Sequence, residues 1–156
     1  MTDEITLRPI TDEDDPLLRR IYASTRTDEM AMVPWTEPEK IAFLNLQFEA
    51  QHKYYQKMFA DAEFSIVERD GEAIGRLYID RREDEHRLID IALLPEHRGE
   101  GIGGALMREV LDEAREAGKL VRIHVERNNP AMRLYRRLGF EKIEEQGVYF
   151  LMEWQP

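Results

Sequence analysis

Four glycines stand within the six residues Gly99–Gly104, in the run Arg98-Gly99-Glu100-Gly101-Ile102-Gly103-Gly104. Glycine gives up more conformational freedom on folding than any other residue, so such density is costly unless the backbone must turn tightly or approach a ligand. An apolar run, Arg87 to Leu94, precedes the loop. A helical pattern follows from Gly101 to Ala117, with Ile102, Ala105, Leu106, Val110, Leu111 and Ala114 on one face and Gly118 as its stop. A strand, a glycine loop and a helix N-terminus present free N–H groups and a partial positive charge, an anion site suited to a pyrophosphate. Arg98 can add a full charge.

Three uses of this loop compete. Gly99, Gly101 and Gly104 satisfy G-x-G-x-x-G, and Glu126 falls near where a ribose-binding acid would lie. A dinucleotide fold, however, runs its strand straight into the first glycine, whereas Pro95-Glu96-His97-Arg98 intervene here. No Gly-Lys-Ser/Thr follows, which excludes a P-loop. A ligand-free glycine turn is the second use. A coenzyme site is the third.

The rest of the chain sets the fold class. Ile5–Ile10 reads as a strand and Asp14–Thr25 as a helix. Pro34–Pro38 is a break, followed by a long helix whose apolar face is Ile41, Leu44, Phe48, Tyr55, Met58 and Phe59, interrupted at Gln51 and His52. Phe64–Glu68 and Ala73–Asp80 read as a hairpin about Asp70-Gly71, with Glu83-Asp84-Glu85 as a solvated turn. Val121–Val125 is a strand. Asn128 or Asn129 caps a helix with Pro130 at its first position, ending at Gly139. Glu141–Glu145 and Val148–Trp154 close the order. The expectation is one mixed α/β (α+β) domain over residues 1–156, with a mostly antiparallel central sheet of about seven strands and about four helices.

Composition narrows the function. Lys and Arg total 22 against 32 Asp and Glu, a net charge of -10, which argues against nucleic-acid partners and suits a cationic one. The chain has no cysteine, so disulfides, thiolate metal sites and a cysteine nucleophile are excluded. The start Met1-Thr2-Asp3-Glu4 lacks the pattern of a signal peptide, and no run approaches the roughly 20 apolar residues of a membrane span. A cytoplasmic protein without membrane partner or metal is expected; a homodimer is left open.

Two blocks carry a family resemblance. Arg98 through Gly103 resembles the Gln/Arg-x-x-G-x-Gly/Ala signature of the GCN5-related N-acetyltransferases, the GNAT superfamily, and Ile91-Ala92-Leu93-Leu94-Pro95 resembles that family's apolar strand and proline. Asn128 through Phe140 is similar to its N-x-x-A-x-x-L-Y-x-x-x-G-F segment at every named position. The resemblance implies an acetyl-CoA-dependent N-acetyltransferase, or a non-catalytic acyl-CoA sensor on the same fold. It implies that two sheet strands splay to take the pantetheine arm beside Ile91, Ala92 and Leu93. Leu93 N–H would face the thioester oxygen, and Arg98, Gly99, Glu100, Gly101, Ile102, Gly103 and Gly104 would hold the pyrophosphate. Asn128 would touch the coenzyme. Tyr135 would be the acid toward the leaving sulfur, although a tyrosine packed in the core is the plainer alternative.

The base that takes the amine proton stays open among Asp90, which interrupts an apolar strand, His124 inside the next one, and Glu126 at its end. Trp35 and Asp90 could frame the acceptor, a small-molecule or protein amine. Arg133, Arg136 and Arg137 form a solvated face or reach a ribose phosphate.

Overall fold

The computed structural model describes residues 4–156; the acidic start Met1-Thr2-Asp3 lies outside them. Seven strands are hydrogen-bonded in the order β1-β2-β3-β4-β5-β7-β6, where β1 is Ile5–Pro9, β2 Glu63–Arg69, β3 Glu72–Arg81, β4 Glu85–Leu93, β5 Leu120–Glu126, β6 Glu141–Gln146 and β7 Tyr149–Trp154. Five α-helices join them: α1 Asp15–Ser24, α2 Thr27–Ala31, α3 Glu37–Met58, α4 Ile102–Ala117 and α5 Met132–Arg137. The mixed sheet agrees with the expectation from sequence; the short helix α2 is additional. The chain divides into two compact units, one running through Leu77 and including Ala92–Arg98, the other made of Tyr78–Ile91 and Gly99–Pro156.

In the first unit β1 pairs antiparallel with β2, from Ile5 opposite Arg69 to Pro9 opposite Ser65. A proline is tolerated there because β1 is an edge strand. Asp14 fixes the entry to α1. Its carboxylate accepts from the Thr11 N–H at 2.8 Å and receives both terminal nitrogens of Arg8 at 2.8 and 2.9 Å. These bonds hold Asp14 well below the usual carboxylate range, at about 2, the Arg8 hydrogen bond being the largest cause. Thr36 caps α3 through Glu39 N–H, and the Glu39 side chain returns to Thr36 N–H. Tyr22 of α1 meets Phe48 of α3 edge-to-face, with ring centroids 6.1 Å apart. Phe48 is the one fully buried residue of α3. The expected apolar face does not hold along its length: Ile41 and Met58 are 57% and 56% exposed. Gln51 and His52, read as interruptions, are half-buried. Gln51 accepts from Arg76, and His52 stacks on Phe48.

In the second unit β4 and β5 run parallel, which requires the crossover that α4 supplies. Leu106, Met107, Val110, Leu111 and Ala114 of α4 are buried, as are Val121, Ile123 and Val125 of β5. Each such aliphatic side chain contributes about 1.5–3 kcal/mol by leaving water. β7 pairs antiparallel with β5 and with β6. β6 is exposed throughout and rich in charge, which protects the sheet edge from further pairing.

Two local expectations are corrected. Glu85 is not part of a solvated turn: it opens β4 and is buried, its carboxylate 3.3 Å from Arg87 Nε and 3.6 Å from Arg82 Nη1. Helix α5 starts at Met132 rather than Pro130, because Asn129 forms a turn first, its side chain accepting from Ala131 N–H and its carbonyl from Met132 N–H.

Candidate functional site

The second unit contains a place where two parallel strands part. β4 and β5 pair from Glu85 opposite Leu120 to Leu88 opposite Ile123, and there the pairing stops. Both strands continue, β4 to Leu93 and β5 to Glu126. Asp90 and Ile91 therefore lie on one arm beyond the last pair, and His124 and Glu126 on the other. β5 keeps its bonds to β7 through Glu126 opposite Tyr149, so that arm is held from the far side.

Asp90 is half-buried, and Tyr135 of α5 is 3% exposed. The Tyr135 ring packs against Phe140 with centroids 5.9 Å apart. Burial pushes the phenol pKa above its ordinary range, and the negative charge of Asp90 adds to that rise. The phenol thus stays protonated and keeps an O–H to donate, with a carboxylate in electrostatic reach.

The glycine loop is open in the way an anion site requires. Gly99 and Gly101 hold φ of 76° and 84°, in the left-handed region where a side chain is strained. A Cβ added at Gly99, Gly101 or Gly103 would meet nothing within 4 Å. The first bond of α4 joins Ala105 N–H to the Gly101 carbonyl, so the amides of Ile102, Gly103 and Gly104 precede the helical ladder. The residues present fit a diphosphate: bare backbone, free amides and a helix start. Gly104 differs from its neighbours. It is buried, and a Cβ there would stand 3.7 Å from Leu134 and 3.6 Å from Arg108, so it serves the packing of α4 on α5. Ile102 likewise turns its side chain inward, while Glu100 is exposed.

In the first unit the end of β4 is held by two devices. Leu94 N–H donates to the Ile74 carbonyl at 2.8 Å. Gly75 lies so close to the Ala92 carbonyl and the Leu93 side chain that a Cβ there would overlap both. Arg98 spends its guanidinium locally. Nε donates to the Leu93 carbonyl at 2.9 Å and Nη2 to Ser24 Oγ at 3.0 Å, which ties the end of β4 to the end of α1. Arg98 thus braces this corner of the first unit, and its guanidinium keeps the positive charge expected to serve an anion. Gly75 and Ser24 are absent from the sequence-based site. A lone glycine inside a strand pattern is the signal for Gly75; Ser24 left none.

His124 is engaged at both nitrogens. Nε2 lies 2.9 Å from Gln146 Oε1 and Nδ1 3.4 Å from Arg87 Nη1. Since the arginine can only donate, Nδ1 is the acceptor and Nε2 carries the proton. Asn128 is exposed; of the two asparagines expected to cap α5, neither side chain caps it, and Asn129 instead holds the turn before it through Ala131 N–H. Arg133, Arg136 and Arg137 are exposed. Trp35 belongs to the first unit and meets Phe43 edge-to-face at 5.1 Å, with 40% of its surface exposed. Among the described residues no group of three or more His, Asp or Glu is placed to hold a metal, and no helix is long and apolar enough to cross a membrane.

Known proteins resemble the chain in sequence and in fold. The sequence model of the acetyltransferase (GNAT) family matches residues 18–140. A putative ribosomal protein bS18-alanine N-acetyltransferase of Bacillus subtilis is 27% identical over 148 residues, covering 90% of this chain and 83% of that protein. Streptothricin acetyltransferase of Streptomyces lavendulae is 42% identical over 81 residues, covering 49% of this chain and 43% of that one. The matched part spans less than two thirds of the length of most of the curated relatives. Among solved structures, the PaiA N-acetyltransferase of Thermoplasma acidophilum, crystallised in complex with coenzyme A, superimposes with a TM-score of 0.72 at 20% identity, covering 98% of this chain and 99% of that one.

Proposed function

The chain belongs to the acetyltransferase (GNAT) family, and from that premise we propose that it transfers an acetyl group from acetyl-CoA directly to a primary amine. The observation that carries the proposal is the pairing of an open glycine loop with Asp90 and Tyr135 in the unit where β4 and β5 separate. The amides of Ile102 and Gly103, with the bare backbone of Gly99 and Gly101, bind the diphosphate. Ile91, Ala92 and Leu93 line the pantetheine arm, and Leu93 N–H donates to the thioester oxygen as it gains charge.

The amine must attack neutral, yet its ordinary pKa lies near 10. Asp90 is the base that receives its proton, in preference to His124, whose nitrogens are both engaged, and to Glu126 at the far end of β5. The new N–C bond forms as the C–S bond breaks, and the electron pair leaves on sulfur. Tyr135 donates a hydrogen bond to that sulfur. A phenol whose pKa is raised above 10 does not surrender its proton to a thiolate near 8.5. Tyr135 therefore lowers the barrier as a fixed donor, and the thiol proton comes from solvent.

The relatives support an amine acceptor of more than one kind: one is named for the alanine of a ribosomal protein, another for streptothricin. Trp35, two residues before α3, is one of the exposed aromatics and the one we assign to such an acceptor. The net charge of -10 favours a cationic acceptor over nucleic acid, and a chain without cysteine suits the reducing cytoplasm. The test is acetyl-CoA turnover against a panel holding streptothricin, a peptide beginning with alanine and a linear polyamine, with thiol release matched to acetylated product by mass spectrometry. Release equal to product for one amine is expected. Tight coenzyme binding with no product from any amine would instead mark a non-catalytic acyl-CoA sensor.

A further inference from the structure

The main chain at Leu93 is confined on both sides. The peptide unit that follows it is held at both edges. Its carbonyl, that of Leu93, accepts from Arg98 Nε at 2.9 Å, and its N–H, that of Leu94, donates to the Ile74 carbonyl at 2.8 Å. A peptide unit is planar, so it cannot turn without losing both bonds. The unit before it carries the Leu93 N–H. Its carbonyl, that of Ala92, lies so near Gly75 that a Cβ there would overlap it.

Ile74 and Gly75 lie on β3 and are fixed by the sheet. Arg98 is exposed, on a long side chain that a single bond would hold loosely. Ser24, the last residue of α1, supplies the second bond. Its hydroxyl donates to the Ile21 carbonyl at 2.6 Å, which commits its one proton and leaves its lone pairs to accept from Arg98 Nη2 at 3.0 Å. The 3-10 turn Pro95–His97 brings the arginine back over Leu93, with Arg98 N–H donating to the Pro95 carbonyl at 3.2 Å. One turn earlier on α1, Arg20 pairs with Glu96 at 2.7 Å, so one face of α1 meets the segment after β4 at two points. That pair is exposed on both sides and contributes little alone.

We propose that Ser24 is a positioning residue for acetyl transfer: by steadying Arg98 it fixes the direction of the Leu93 N–H. The inference rests on the proposed role of that N–H as donor to the thioester oxygen. Such a donor lowers the barrier when it stands in place before charge develops, so loosening it costs rate more than affinity. Ser24 acts through Arg98 and needs no contact with the coenzyme.

Ser24→Ala keeps a good helix former at the end of α1 and removes the hydroxyl. In the full chain without coenzyme, hydrogen exchange at the Leu94 amide, followed by NMR, should quicken at least about 5-fold. With saturating acetyl-CoA and the amine turned over among streptothricin, the alanine peptide and the polyamine, kcat should fall about 5- to 20-fold, while the calorimetric dissociation constant of acetyl-CoA changes less than about 2-fold. Ser24→Thr should restore both, because a threonine hydroxyl also reaches the carbonyl three residues back. Thr25→Ala removes the equivalent bond to the Tyr22 carbonyl and should change neither. An unchanged Leu94 exchange rate in Ser24→Ala, a kcat equal to wild type, or equal losses in Thr25→Ala would overturn the proposal. A wild type that turns over no amine contradicts acetyl transfer itself, and the exchange rates alone then uphold or overturn the hold of Ser24 on Leu93.

Discussion

The carboxylate of Asp90 and the phenol of Tyr135 are electrostatically joined: the charge of the one helps hold the other protonated in a site that is almost wholly buried. A phenol in that state is a hydrogen-bond donor throughout the neutral pH range. Tyr135→Phe should therefore lower turnover by about 10- to 100-fold, as loss of one transition-state donor does, while acetyl-CoA affinity changes less than about 3-fold. Stopped-flow turnover and calorimetric titration separate the two quantities.

The same raised pKa has a consequence at alkaline pH. The unfolded chain loses the Tyr135 proton near 10, whereas the folded chain retains it to higher pH. The unfolded state then binds fewer protons, so stability is intact below pH 10 and falls as pH rises above it. Urea unfolding at pH 9 and pH 11 should show a smaller loss in Tyr135→Phe than in the wild type.

Gly103 distinguishes a ligand cradle from a structural turn. Its φ is ordinary and a Cβ would meet nothing in the protein, so Gly103→Ala is free of strain and removes backbone freedom from a helix. It should stabilise the unliganded protein by about 0.5–1 kcal/mol. The added methyl would intrude on a diphosphate lying against the loop, and coenzyme affinity should fall by at least about 10-fold. Thermal melts with and without acetyl-CoA read both effects.

The fold was largely legible because its signals are local: alternation in the strands, Asp70-Gly71 at a hairpin, Gly118 after α4. The divergence of β4 from β5 was not, because pairing across a crossover leaves no mark in either strand alone. The apolar positions of α3 fit a helical period, but periodicity does not tell which side meets the sheet, and Ile41 and Met58 went to solvent. Arg98 was read by its charge, while the Leu93 carbonyl and Ser24 that occupy it were invisible from its neighbours. The partners of His124, Arg87 and Gln146, stand 37 and 22 residues away and left no mark beside it in the sequence.

Gly75 sets how closely β3 approaches the end of β4. Gly75→Val should cost about 1–3 kcal/mol through overlap with the Ala92 carbonyl and Leu93, and, if that backbone lines the pantetheine arm as proposed, should weaken acetyl-CoA binding by displacing it. Denaturant unfolding together with titration checks both.

Asp14 governs acid stability in the first unit. Its folded pKa of about 2 lies below the ordinary 3.8, so its contribution is fully present above pH 4 and is lost as pH falls toward 2. Asp14→Asn should cost about 1–2 kcal/mol at pH 7, and the gap to wild type should narrow at pH 2.5 when unfolding is followed by circular dichroism.

The coenzyme loop decides the rest. Calorimetric titration with coenzyme A and with pantetheine, which shares the thiol arm but lacks the diphosphate, isolates what the amides after Arg98 contribute. Saturable binding of coenzyme A, with pantetheine at least about 100-fold weaker, is the expected result. Equal affinity for the two, or no heat from either, would mean that this segment holds no phosphate and that acetyl transfer is not what the protein does.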